Sequence, residues 1–249
     1  MRAMARAARP LRSSKRRTLA MGGMSVTPVR WWLILAVGIL SVTRPGLLRA
    51  VVDEAAPTAR PAPDAQPSEE SAEKPALRTI DALQVVMSRV LKESSTLTFE
   101  QRVDALRPAV LEAYDVEFMA LNALGPHAKQ LSDDERRQWI DAFARFTVAN
   151  YARRFNHYAG QKFETLGAQP APSNTVLVRS RVVRPGKTDV AIDYRLRRNG
   201  GKWKIVDVYA QGTISELAVR RSEITSLLDT KNFLELVEYV NQKAARGER

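Results

Sequence analysis

Near residue 175 the apolar residues of this chain stop recurring at helical steps and begin to alternate. Upstream, Leu77, Ile80, Leu83, Met87, Val90 and Leu91 fall three and four apart, which puts them on one face of a helix. Downstream, Val176, Val178, Ser180 and Val182 alternate with Leu177, Arg179 and Arg181. Val190, Ile192, Tyr194 and Leu196 alternate with Ala191, Asp193, Arg195 and Arg197, and Trp203, Ile205, Asp207 and Tyr209 continue the pattern. A period of two makes a strand with one buried face. Asn199-Gly200 reads as a two-residue hairpin turn. It pairs Leu196 with Trp203, Tyr194 with Ile205, and Ile192 with Asp207. A three-residue turn at Pro185-Gly186-Lys187 pairs Val182 with Val190, Ser180 with Ile192, and Val178 with Tyr194, and sets Arg179 opposite Asp193 on the other face. Both turns gather the apolar residues on one side, and a one-residue slip would reverse a strand. Phe163 to Leu166 is a candidate fourth strand.

Helices flank this meander. Thr98 with Gln101 forms a capping box for a second helix, which Pro108 is expected to kink or end. A short helix from Val116 to Leu124 stops at Gly125-Pro126. Ser132 with Glu135 caps a long helix to about Tyr158, bearing Trp139, Ile140, Phe143, Phe146, Tyr151, Phe155 and Tyr158. Thr213 with Glu216 reads as a third box, and Thr230 as the cap of a last helix with Phe233, Val237 and Val240. The expected class is α+β: a curved antiparallel sheet of about four strands with helices over its apolar face.

The formal charge of +12 is confined to one end. Ten of the 39 Lys and Arg lie in residues 1–50 with no acid among them, leaving 29 bases against 27 acids. The folded part therefore has no electrostatic case for nucleic acid. A basic stretch to Arg30, followed by the uncharged run Trp31 to Val42, is too short to span a bilayer comfortably and reads as a secretory signal. Residues 1–50 are thus expected to be a signal peptide or an uncleaved N-terminal anchor, and both place the domain outside the cytoplasm. Residues 51–76 carry Pro57, Pro61, Pro63, Pro67 and Pro75 with almost no large apolar residue, and are expected to be a disordered linker. The folded domain is expected over 77–245.

Chemistry is sparse. There is no Cys, which excludes disulfides, thiol nucleophiles and Cys-ligated metals, and two His make a multi-His metal site a poor fit. No phosphate loop, HExxH, GxSxG or EF-hand pattern occurs. His157 in its aromatic stretch is expected to be structural or exposed. Asp207, placed on the apolar face by the expected register, needs a partner there. It reads as a bonded structural Asp, as the polar end of a ligand pocket, or as an acid or base. Arg179, Arg181, Arg184, Arg195, Arg197, Arg198, Lys202 and Lys204 crowd the strands, either as a solvated face or as a docking patch for anionic headgroups or a membrane partner.

The run Gly200-Gly201-Lys202-Trp203-Lys204-Ile205-Val206-Asp207-Val208, after Asp193-Tyr194-Arg195-Leu196, resembles the MlaC or toluene-tolerance auxiliary family of periplasmic lipid carriers. Gly212 and Ser215, Arg221-Ser222-Glu223-Ile224, and Phe118-Met119-Ala120 with Leu124-Gly125 resemble further stretches of it, in order from about Ile80 to Val240. Glu223 and Ile224 depart from that family's Gln and Phe, and Arg220 stands where it often has Tyr. The Thr213-Ile214-Ser215-Glu216-Leu217 run looks more like the hopanoid-associated branch, HpnM. The resemblance implies a monomeric periplasmic carrier, not an enzyme, that passes phospholipid or hopanoid-type lipid between membranes. Its partners would be an inner-membrane ABC transporter and an outer-membrane protein, with lipid as cargo and neither cofactor nor metal. On that reading Phe143, Phe146, Tyr151, Val178, Ile192, Tyr194, Ile205 and Tyr209 would line a lipid cavity, with Ser180 and Asp207 at its polar end. The same residues also fit an ordinary filled core. An adaptor without lipid, or an enzyme using Asp207 in a cone-shaped pocket, are the competing classes.

Overall fold

A computed structural model describes residues 69–247. The expected signal or anchor, and the expected linker up to residue 68, lie outside the described residues. Within them the order is α1 (Glu69–Lys92), α2 (Phe99–Ala113), α3 (Val116–Leu124), a 3-10 turn (Gly125–Gln130), α4 (Asp133–Arg154), β1 (Lys162–Ala171), β2 (Thr175–Val183), β3 (Val190–Asn199), β4 (Lys202–Ala210), β5 (Ile214–Ser215), α5 (Glu216–Leu228) and α6 (Phe233–Ala245). The class is α+β as expected. The sheet is an antiparallel meander in the order β1-β2-β3-β4-β5, with the candidate strand at Phe163 extended to ten residues and a two-residue edge strand added.

α1 begins eight residues before the expected domain boundary. Ala76 is fully buried and Ala72 packs against the core, so small side chains carry the Ile80, Leu83, Met87 stripe back into the Pro-containing stretch. Low bulk hid a packed turn there. Pro108 sits on the exposed side of α2 and neither ends nor interrupts it, because Leu106, Val110 and Ala113 are buried on the opposite side. The capping boxes at Thr98 and Ser132 form as read. α4 ends at Arg154 rather than Tyr158, although Phe155 beyond it stays buried. At the centre of the core Trp139 is fully buried and donates its indole N–H to the Ala120 carbonyl at 2.7 Å.

The β2–β3 register is the expected one: Val182 faces Val190 and Val178 faces Tyr194. The Ser180 hydroxyl donates to the Ile192 carbonyl and its N–H to Asp193. The β3–β4 register differs. The turn is Gly200-Gly201, not Asn199-Gly200, and Asn199 pairs with Lys202. Both glycines have φ near +56° and +82°, which a tight primed turn requires. Asn199 is thereby released to donate its amide to the Asp115 carboxylate at 3.0 Å. Leu196 therefore faces Ile205, and a bulge at Val206 then shifts the strand by one more residue. Tyr194 faces Val208 and Ile192 faces Ala210, correcting the expected partners Ile205 and Asp207. The bulge turns Asp207 to the face of its partner Arg195 and brings Val208 to the buried face.

That rotation sets the start of α5. One Asp207 oxygen accepts the Val208 and Leu217 N–H groups at 2.8 and 3.1 Å, and the other accepts the Ser215 hydroxyl at 2.6 Å. Ser215 in turn accepts the Ala218 N–H and is the N-cap, in place of Thr213, which lies in the turn before β5. The last helix likewise starts later than read, with Asn232 and Glu235 forming its box instead of Thr230.

Candidate functional site

Phe143, Thr147, Asn150, Tyr151 and Arg154 follow one another along one face of α4. Facing them are Tyr114 and Met119 from around the start of α3, Val208 of β4, and Glu216, Leu217 and Arg220 from the first turns of α5. These groups enclose a cavity of about 40 Å³. Six of its eleven lining residues are aromatic or aliphatic, and Arg154, Glu216 and Arg220 add charge to it. The Tyr114 and Tyr151 hydroxyls are hydrogen-bonded to each other, with the rings edge-on at 6.0 Å. From Tyr151 the aromatic contacts run through Phe155 to Phe163 of β1 at 5.8 Å each. At the mouth, Arg154 pairs with Glu216 at 2.9 Å, joining the end of α4 to the start of α5. The Arg220 guanidinium lies 4.5 Å over the Phe146 ring and 3.7 Å from Glu223.

Burial dominates the electrostatics. It pushes the Tyr151 hydroxyl up to about 12, with the Glu216 charge adding to the effect. It raises Tyr114 and Tyr194 well above the usual tyrosine value, each with a further push from Tyr151. Burial also holds the Arg220 guanidinium below its ordinary value, opposed by Glu223 and Glu216. The Glu223 carboxyl is raised by burial, with Arg220 pulling the other way.

Of the residues read from the sequence as cavity lining, Phe143 and Tyr151 line this one. Phe146 is half-buried beneath Arg220. Val178, Tyr194 and Ile205 are fully buried in the main core, and Ile192 packs against its border. Tyr209 pairs with Asp193 on the partly exposed end of β4. Ser180 and Asp207 are each bonded within the scaffold and neither lines the cavity. His157 is exposed. Four of the eight basic strand residues are in ion pairs: Arg181 with Glu164 and Asp189, Lys202 and Lys204 with Glu112, and Arg197 with Asp115 while stacked 3.9 Å over Phe118.

Sequence reasoning missed Tyr114, Met119, Val208, Leu217, Arg154, Glu216 and Arg220. Val208 was hidden by the bulge, which no turn signal announces. Arg154 lies eleven residues from Phe143, three helical turns along the same face, so the stripe could have been followed to its charged end. A wider groove of about 580 Å³ runs between α1 and β1. Asp81, Arg89, Lys92 and Glu93 border it together with Val85 and Phe163, so its lining is mixed. Among the described residues no group of His, Asp and Glu could hold a metal ion.

Two pairs of sequence motifs meet around the cavity. Gly212 (φ +71°) leads into Ser215, whose hydroxyl holds Asp207. Gly125, at the end of α3, has φ +59°, and a Cβ there would stand 3.0 Å from the Arg221 side chain. The positive φ is what favours glycine here, since the Arg221 contact is the end of a flexible side chain. Among solved structures, the fold matches a phospholipid-binding protein from Ralstonia solanacearum in complex with a phospholipid, with a TM-score of 0.59 and 18% identity, over 70% of this chain and 97% of that one. No curated protein matches. The family model described as MlaC protein matches residues 81–242, about two thirds of the chain. This chain belongs to the MlaC family.

Proposed function

We propose that this protein is a lipid carrier that binds a phospholipid, or a hopanoid-type lipid of the HpnM branch, by its apolar part in the seam between α4, α5 and β4. The observation that carries this reading is the seam itself, a cavity walled by Tyr114, Met119, Phe143, Tyr151, Val208 and Leu217, with Thr147, Asn150, Arg154, Glu216 and Arg220 completing its lining. Family membership and a fold shared with a phospholipid-binding protein support it. Asp207 is spent on the α5 N-terminus, which leaves the acid-base role without a free carboxylate. The proposed setting is the periplasm, with the cargo exchanged with an inner-membrane ABC transporter and an outer-membrane partner.

The energetics require a carrier. Each buried methylene is worth about 0.8 kcal/mol, so a chain of about fifteen costs roughly 12 kcal/mol to expose. A cavity of 40 Å³ is far below the roughly 300–1,000 Å³ of ligand pockets, so loading needs a wall to move. α5 is the wall suited to this, because only Ile224 of it is buried, while Leu217, Leu227 and Leu228 are partly exposed. Phe143, Tyr151 and Phe146 would touch the tails first. Val178, Tyr194, Ile205 and Ile192 would form the floor as α5 withdraws, with Tyr209 at its end.

Mass spectrometry of organic extracts of the purified protein tests the reading. A co-purifying glycerophospholipid is the expected result, and a fused-ring triterpenoid would assign the hopanoid branch. Extracts without lipid, together with no uptake of fluorescent phospholipid from vesicles, would favour the adaptor and overturn the carrier.

A further inference from the structure

The sheet has one open edge. β4 is flanked on its outer side by β5 at Tyr209 and Ala210, and by Tyr114 beside Ile205. β1, at the other end of the strand order, pairs with β2, and among the described residues no backbone–backbone hydrogen bond joins it to anything else. An antiparallel strand paired on one side turns the N–H and C=O of every second residue outward. The far half of β1 is guarded by the bulge at Leu166 and by Pro170, which interrupt regular pairing. The near half, residues 162–165, carries only Lys162 as a guard, and its Phe163 and Thr165 border the groove of about 580 Å³ against α1. That volume falls within the roughly 300–1,000 Å³ of ligand pockets.

The lining says what kind of molecule fits. Val85 of α1 is 69% exposed, more than any other large apolar side chain among the described residues, and it shares the groove with Phe163. The Thr165 hydroxyl, 2.9 Å from Asp81 and 3.2 Å from Gln84, ties strand to helix at one end. Gln84 is 6% exposed, yet its amide nitrogen has no hydrogen-bond partner. Buried amides are nearly always bonded, and this one is left for an acceptor that the fold does not supply. Asp81 and Glu93 offset Arg89 and Lys92, so the groove has no net charge with which to select an ion. A hydrocarbon tail laid along the edge would cover its outward N–H and C=O groups without bonding them, which costs free energy. An extended peptide meets every one of these features, main chain against main chain and an apolar side chain against Val85.

We propose that the groove between α1 and β1 binds an extended, largely apolar peptide segment of a partner protein, which adds to residues 162–165 as a further strand of the sheet and seats a side chain on Val85 and Phe163. Main-chain hydrogen bonds supply the affinity in this mode, and the side-chain seat supplies the selectivity. Such a site works whatever the cargo held at the seam.

The test selects short phage-displayed random peptides on the purified protein and synthesises the best binder. Val85→Asp, at a position exposed enough to leave the fold unchanged by circular dichroism, is expected to weaken that peptide by about tenfold, the loss of one apolar contact. N-methylation distinguishes strand pairing from mere adhesion, because a strand bonds its neighbour through one edge alone. Methylating alternate residues on one edge of the peptide is expected to weaken binding by about tenfold or more, and on the other edge by no more than about twofold. Hydrogen exchange at residues 162–165 is expected to slow when the peptide binds. Failure to select a binder overturns the proposal, as does a binder indifferent to Val85→Asp or to methylation of either edge. A dimer in light scattering, with residues 162–165 already protected from exchange before peptide is added, would give the edge to a second copy of this chain and overturn it as well.

Discussion

α1 and α5 both pack against the sheet, and they are held by different means. α1 buries Ala76, Ile80, Leu83, Met87, Val90 and Leu91, and Thr79 adds a hydrogen bond to the Trp203 carbonyl at 3.0 Å. α5 buries Ile224, packs Leu217, Leu227 and Leu228 partly buried against the core, and adds polar devices at its start. Asp207 and Ser215 tie its first turn, Arg154 pairs with Glu216, and Arg221 rests against Gly125. Apolar burial is non-directional and holds α1 wherever the sheet is intact. Polar ties are short-ranged and can be exchanged one for another. Both helices thus meet one core, α1 through broad burial and α5 through fewer apolar contacts and more polar ties.

The largest effect expected from this contrast is in the core. Leu83→Ala should cost about 2–5 kcal/mol, because α1 cannot collapse into the space left. Ile224→Ala removes an equally apolar side chain, yet should fall at or below the lower end of that range, since α5 can settle over the gap. Urea unfolding of both variants at matched conditions measures the difference. Equal losses would mean that α5 is packed as firmly as α1 and would break the comparison.

A second effect belongs to the tyrosines of the seam and of the core beside it. Tyr114, Tyr151 and Tyr194 have folded-state values raised above the ordinary tyrosine value, which is near 10. Their contribution to stability is complete below about pH 10, and it is lost as pH climbs through the folded-state values, since the unfolded chain releases its protons first. For Tyr151, whose folded value is about 12, the loss reaches a few kcal/mol by the top of that window. Stability curves recorded from pH 8 to 12 should fall only above about 10, and the tyrosinate absorbance of these three groups should appear together with unfolding. Titration of all tyrosines near pH 10 without unfolding would show the seam already open to water.

What could be read from the sequence divides along the same line. The period change at residue 175, the Val178–Tyr194 register and the caps at Thr98 and Ser132 are local patterns, and all are present in the fold. The β4 bulge is not local. Closing the hairpin at Gly200-Gly201 instead of Asn199-Gly200 moves the register by two residues and leaves each side chain on its face, with Asn199 bonded to Asp115 84 residues away; the extra residue at Val206 is what reverses the faces. Everything downstream inherits that bulge. Asp207 becomes a helix cap instead of a pocket group, Val208 replaces it on the inner face, and α5 starts at Ser215. Ala72 and Ala76 were missed for the opposite reason: their burial is plain in the fold, but alanine leaves too faint a mark on an apolar pattern.

The smallest expected effect is the one that most sharpens the contrast. The Arg154 and Glu216 side chains are 49% and 27% exposed, so water and salt screen their attraction at 2.9 Å. Pairs of this kind are worth about 0.2–1 kcal/mol. A double-mutant cycle on Arg154→Gln and Glu216→Gln should therefore return a coupling under about 1 kcal/mol that shrinks further in high salt. Such a value suits a latch, because a fastening that weak can be released without unfolding the domain. A salt-insensitive coupling above about 2 kcal/mol would mark a desolvated pair that bolts α5 down. In that case the cover could not open by exchanging one charge for another, and the lipid would have to enter elsewhere along the sheet.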